Sequence, residues 1–129
     1  MKFCEEVKKE QILKKAFNLI EESKKCIDTT MDAKEEINHP LPEIYHNKLY
    51  RLSKKRVAVN RYVFGTKKLF IVIKNKYPNV NTIYGGEMNK YQRMLIADKE
   101  KGLFAIGSKI FFTAFKPLIK SLLEYVKIY

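Results

Sequence analysis

The chain has no tryptophan, only two cysteines, five glycines and four prolines. Over one stretch of forty-three residues it has no acid at all. Each lack excludes something. Cys4 and Cys26, if they share one helix, stand about 33 Å apart at 1.5 Å per residue. A disulfide needs Cα atoms within about 7 Å, so an internal bridge is not expected. Two lone cysteines make no zinc site, and no metal or other cofactor is expected. Neither the Walker phosphate loop nor Gly-x-Gly-x-x-Gly occurs, so Gly85-Gly86, Gly102 and Gly107 read as turn residues. The longest strictly aliphatic and aromatic run is Leu69–Ile73. That is far short of the roughly 20 residues of a membrane-spanning helix. Five charges between Glu5 and Glu10 leave no room for a signal-peptide apolar region. The expected location is therefore inside the cell, in the cytoplasm, or in the nucleus for a eukaryotic source.

What is present is charge, unevenly placed. The 129 residues carry a net +12. Residues 1–43 hold 8 Lys/Arg against 10 Asp/Glu, and residues 44–129 hold 18 against 4. Apolar residues make up 46%, enough for a core, so high charge here does not mean disorder. The length suits one domain. It divides into a charge-balanced helical part (1–38), a hinge (39–43) and a basic part (44–129).

Phe3, Val7, Leu13, Phe17, Ile20 and Ile27 recur at roughly helical spacing, predicting an amphipathic helix from Phe3 to Ile27. Residues 28–37 extend it or form a second short helix capped by Asp28 or Thr30. His39-Pro40-Leu41-Pro42 breaks the chain, because a residue before proline is pushed out of the helical region. A helix is expected from Pro42 to Lys55, with Tyr45, Leu49 and Leu52 on one face and Lys48, Arg51 and Lys55 on another. Arg56–Phe64 and Leu69–Ile73 are rich in β-branched and aromatic residues, which favours two strands around Gly65-Thr66. A helix capped by Thr66 is the other arrangement. Tyr77-Pro78-Asn79 reads as a turn and Val80–Tyr84 as a short strand. Two apolar runs around Asp98–Gly102 predict a β-hairpin. Pro117 points to an extended piece up to Phe115 and then a helix with Leu118, Leu122 and Val126 as its stripe. That stripe would serve the core or a homodimer contact. The expected fold is α+β: an N-terminal amphipathic helix, a small antiparallel sheet with hairpins and a C-terminal helix. The alternatives are a winged helix-turn-helix, with Met94–Ile106 as the wing, and an all-α fold.

Ile44 to Gly86 is the acid-free stretch, and its ten cations are Lys48, Arg51, Lys54, Lys55, Arg56, Arg61, Lys67, Lys68, Lys74 and Lys76. A solvated face ordinarily mixes both signs. A polyanion explains the lack of acids, because each phosphate neutralised by Lys or Arg releases condensed counterions. Tyr50 and Tyr62 lie among the cations and offer rings for stacking on unpaired bases. These twelve residues are the candidate nucleic-acid contacts, DNA or RNA, within residues 44–77. The bland alternative is lysine-rich solubilising surface of the kind AT-rich coding produces, with the tyrosines in the core.

No catalytic residue is assigned. A toxin-like ribonuclease would need His46 as base or acid beside Lys48, Tyr50 and Arg51. A solvated His46 on a basic helix is the plainer reading. The basic part has four carboxylates, Glu87, Asp98, Glu100 and Glu124, too few and scattered for metal-dependent cleavage. A third class is an interaction protein that inhibits an acidic host or cellular complex. Small size and an atypical sequence suggest a viral or mobile-element source.

Overall fold

The computed structural model describes residues 3–126. Seven strands form one mixed sheet: β1 (Glu5–Glu6), β2 (Cys26–Asp32), β3 (Ala58–Phe64), β4 (Asn81–Gly86), β5 (Met94–Ala97), β6 (Lys101–Ile106) and β7 (Lys109–Thr113). Five α-helices accompany it: α1 (Ile12–Glu22), α2 (Ala33–Asn38), α3 (Glu43–Ser53), α4 (Lys67–Lys76) and α5 (Lys116–Leu123). The strand order is β1-β7-β6-β5-β2-β3-β4. β2, β3 and β4 run parallel, and the other neighbours are antiparallel.

The period of two along the strands sorts the core into two layers. Ile27, Val59, Leu95, Ala97 and Leu103 pack against Leu19 and Ile20 of α1 and Leu49 and Leu52 of α3. Met31 and Val63 continue that face under Ile73 of α4. On the opposite face Phe64, Met94, Ile96 and Phe104 meet Ile119 and Leu122 of α5. One face therefore carries four helices and the other a single helix of eight residues. The apolar stripe of α5 is spent on this core.

The α+β class is as expected, and the parts differ in instructive ways. The helix expected over Phe3–Ile27 begins only at Ile12. The residues before it run beside β7, where Val7 N donates to Ile110 O at 2.8 Å. Cys26–Asp32 is a central strand, so the two cysteines share no helix, and both are free thiols. Asp28 and Thr30 lie inside that strand. The helix cap is Asp32, accepting from Lys34 N and Glu35 N at 3.1 and 3.3 Å. Arg56–Phe64 is the expected strand, but Leu69–Ile73 is helical, with Thr66 Oγ1 accepting from Leu69 N at 3.2 Å. Parallel strands require a crossover between them, and α4 is that crossover from β3 to β4. The sheet is thus mixed and not purely antiparallel, and Gly65 joins a strand to a helix, which rules out the helix-turn-helix arrangement. The Met94–Ile106 hairpin, the Tyr77–Asn79 turn and the helix opening at Lys116-Pro117 are present as expected.

Candidate nucleic-acid interface

β2 and β3 start side by side, with Cys26 paired to Ala58. β5 ends beside them, with Ala97 paired to Ile27. Three turns therefore meet at one end of the sheet: 23–25 after α1, 54–57 after α3, and the hairpin turn 98–100. Strands are spaced about 4.8 Å apart, so the outer two turns are roughly 10 Å from each other. Together they bring Lys24, Lys25, Lys54, Lys55, Arg56 and Lys99 to one surface.

Asp98 ties these turns together. Its carboxylate accepts from the backbone N–H of Lys24 (3.1 Å), Lys25 (2.7 Å) and Cys26 (3.0 Å). Asp98 N donates to Cys26 O at 2.8 Å. Partial burial opposes the Asp98 charge, but the three N–H donors outweigh it and hold the carboxyl below its ordinary range. The Asp98 carboxylate is thus occupied by backbone, while Glu100 on the same turn is exposed.

Arg56, Asp98 and Lys99 have φ of 66°, 55° and 55°, the three non-glycine residues in the left-handed region among those described. Such backbone costs of order 1–3 kcal/mol for a side-chain-bearing residue and concentrates at functional sites. Asp98 and Lys99 take it as the central pair of the hairpin turn, closed by Glu100 N donating to Ala97 O at 3.0 Å. Arg56 takes it just after α3 and presents a cation at the same end of the sheet.

Next to these turns, α1 and α3 enclose a cleft of about 430 Å³ lined by Lys24, Lys48, Arg51 and Lys55 with Glu21 and Ser23. Lys48 is paired with Glu21. Lys24, Arg51 and Lys55 have no side-chain partner among the described residues. Lys101, in the first position of β6, is held by Glu22 at 3.2 Å.

No family model and no curated protein matches the chain. Solved structures do. TrmBL2, described as an archaeal chromatin protein that shows a novel mode of DNA binding, superposes with a TM-score of 0.62 at 16% identity. The match covers 96% of this chain and 50% of TrmBL2, so the chain spans half the length of that protein. Nuc of Salmonella typhimurium, a phospholipase D family member, superposes with a TM-score of 0.63 at 14% identity, over 89% of this chain and 82% of its own. At such identities the likeness establishes a shared fold. Neither source is viral.

The structure divides the twelve candidate contacts into separate places. Arg51, Lys54, Lys55 and Arg56 share the basic end, with Lys54 Nζ 4.6 Å above the ring of half-buried Tyr50. Lys48 belongs there too but is neutralised by Glu21. Lys67 and Lys68 open α4 at the far end of β3, roughly 20 Å away over seven residues at about 3.3 Å each. α4 runs back along the sheet, where Lys74 and Lys76 lie over the rings of Phe70 and Tyr77. Tyr62 is on the opposite face of the sheet, towards α5.

Arg61 requires a correction. It is wholly buried, at 0% exposure, and touches no outside ligand. Its Nη2 donates to His46 Nδ1 at 3.0 Å. Because guanidinium can only donate, His46 Nδ1 must accept, which leaves the ring proton on Nε2. His46 Nε2 lies 3.3 Å from Glu36 Oε2, off the line of a good hydrogen bond. Tyr77 O–H donates to that same oxygen at 2.6 Å, and Leu41 N to Oε1 at 3.1 Å. Burial resists the Glu36 charge, yet these neighbours prevail and hold its carboxyl below the ordinary range. Burial also lowers the Arg61 value and, with the Glu36 bond, raises that of Tyr77. This network pins α2, α3, β3 and the end of α4 together. His46, only 6% exposed and committed to Arg61, is not placed to act as base or acid on an outside substrate.

Sequence reading missed Lys24, Lys25 and Lys99, since only the fold brings them beside Arg56. Among the described residues no group of three or more His, Cys, Asp or Glu is placed to hold a metal ion. No described helix is long and apolar enough to cross a membrane.

Proposed function

We propose that the chain binds nucleic acid, gripping phosphates with the basic end of its sheet. The carrying observation is convergence. Lys24, Lys25, Arg51, Lys55, Arg56 and Lys99 come from three turns and one helix to a single surface where Glu21, Glu22 and Asp98 are already engaged and exposed Glu100 stands as one acid against six cations.

A structural use accounts for part of this charge. The C-termini of α1 and α3 end here, and cations near helix C-termini are worth about 0.3–1 kcal/mol each. That use covers Lys24, Lys25, Arg51, Lys54 and Lys55, and Asp28 Oδ2, 3.9 Å from Lys99 Nζ, gives Lys99 a distant partner. Arg56 has no side-chain partner among the described residues, and phosphate binding with its counterion release gives the surplus charge a use. The likeness to TrmBL2, a DNA-binding chromatin protein, adds support from an independent side.

The test is fluorescence anisotropy with labelled duplex DNA, single-stranded DNA and RNA over a salt series. Six phosphate contacts on duplex DNA give log K against log salt a slope near −5, at about −0.9 per contact. Changing Arg51, Lys55 and Arg56 together to Ala should reduce that slope by about 3. A flat salt response, or no binding at about 50 mM salt, overturns the reading.

A further inference from the structure

The sheet face that carries α5 is covered over β5 and β6 and left open over β3 and β4. Its first row there is polar. Asn81 Nδ2 donates to Asn60 Oδ1 at 2.9 Å, and Asn60 Nδ2 donates to Asp28 Oδ1 at 3.3 Å. Register sets this row, since Asp28 pairs with Asn60 and Asn60 with Asn81. One row along, Tyr62 pairs with Ile83, and both are half-buried. Between this surface and α5 lies a cleft of about 510 Å³ lined by Asp28, Tyr62, Lys99, Lys116 and Lys120, with Glu124 at its edge.

Asp28 is the feature that core packing does not explain. It is 3% exposed, on the central strand, and its carboxylate opens on the cleft. Its Oδ1 is taken by Asn60. Its Oδ2 has no donor nearer than 3.9 Å, the distance of both Cys26 Sγ and Lys99 Nζ. An acceptor with capacity left stands on the floor, and three lysines against one glutamate stand around the walls. A simple phosphate pocket would not keep a carboxylate at its base. A group that is anionic at one end and offers N–H donors at the other fits both.

We propose that this cleft holds an unpaired base of single-stranded nucleic acid. Tyr62 offers the base its ring, Asp28 accepts from an amino group on the base edge, and Lys116 and Lys120 meet the flanking phosphates. Lys99 belongs both to this cleft and to the basic end, so one strand can pass from phosphate contacts on the turns to base contacts on the sheet. This rests on the nucleic-acid reading above and narrows it to single strands. A duplex keeps its base edges paired, so they cannot reach a nearly buried carboxylate. Cytosine and adenine carry exocyclic amines that donate to a carboxylate. Thymine and uracil turn two carbonyls towards it, with one N–H between them.

The experiment compares labelled oligo(dC), oligo(dA) and oligo(dT) of equal length with a duplex by anisotropy at one salt concentration. Wild type should bind oligo(dC) and oligo(dA) more tightly than oligo(dT). Asp28→Asn should erase that preference. Tyr62→Leu should weaken single-strand binding about tenfold and leave the duplex unchanged. The pair Lys116→Ala and Lys120→Ala, on the exposed side of α5, tests the same path without touching the core. It should also weaken single strands only. Thermal melts of each variant show that it folds. If every folded variant binds single strands like wild type, the cleft is not the site, while binding through the basic end stands. If wild type binds no nucleic acid, both readings fall.

Discussion

Arg56 and Arg61 are five residues apart and carry the same formal charge, yet the fold gives them opposite work. Arg56 stands on a turn, exposed, with left-handed backbone and no side-chain partner among the described residues. Arg61 is shut inside, bonded to His46 and stacked over Tyr77, with its centre 5.2 Å from that ring. A net charge of +12 adds such cations together as if they were equivalent. They are not. A buried cation bonded to neighbouring side chains serves the fold, and its removal is felt by stability. An exposed cation without a partner contributes little to stability and is free for a ligand. Loss of stability and loss of binding should therefore separate cleanly between the two arginines.

Arg61→Ala should have the largest effect. It removes a wholly buried side chain and leaves His46 Nδ1 without its donor. The cavity and the orphaned acceptor together cost about 2–5 kcal/mol. Urea unfolding should show that loss, while Arg51→Ala or Lys55→Ala stays within about 0.5 kcal/mol of wild type. Equal, small losses at all three positions would dissolve the distinction.

Glu36 sharpens the same point through pH. Its folded-state pKa is lowered, so between that value and the ordinary glutamate pKa of about 4.3 the unfolded chain binds more protons than the folded one. Stability then rises with pH through this window. The Glu36 contribution is complete above the ordinary value and lost as pH falls through the lowered one. The stability gap between wild type and Glu36→Gln, about 2–3 kcal/mol at pH 7 for a charge-assisted set of bonds, should narrow as the solution is acidified. A gap of constant size from pH 7 to pH 3 would show that the network does not depend on that charge.

How much of this could be read in advance follows from particular residues. The burial of Arg61 was legible once Arg56–Phe64 was taken as a strand. Val59, Arg61 and Val63 alternate, so the arginine faces the core with the two valines. Asp98–Gly102 as a turn, and the helix behind Pro117, were legible because turn and proline chemistry are local. Strand β2 was harder. Ile27, Thr29 and Thr30 are β-branched, but the helical spacing upstream ran into them and hid the break at Ser23, whose Oγ donates to Leu19 O at 2.7 Å. Leu69–Ile73 was ambiguous for a physical reason. Five apolar residues suit a buried strand or a helix, and the choice was made by the parallel pairing of β3 and β4. The basic end was legible only in part. Arg51, Lys55 and Arg56 lie in the acid-free stretch, but Lys24, Lys25 and Lys99 join them through sheet register, which no window along the chain reveals.

The smallest effect tests the comparison most closely. Arg56 sits at φ 66°, a conformation that glycine adopts without steric cost. Arg56→Gly relieves that strain and gives back some of the gain by freeing the unfolded chain, so stability should rise by no more than about 1 kcal/mol. The same change removes one phosphate contact and should reduce the salt slope by about 0.9 on duplex DNA. A variant that melts at or above the wild-type temperature and binds less is the signature of a strained residue kept for a ligand. Should Arg56→Gly lose stability and keep its salt slope, Arg56 would be a structural cation like Arg61, and the division between the two would fail at the position where it is drawn most sharply.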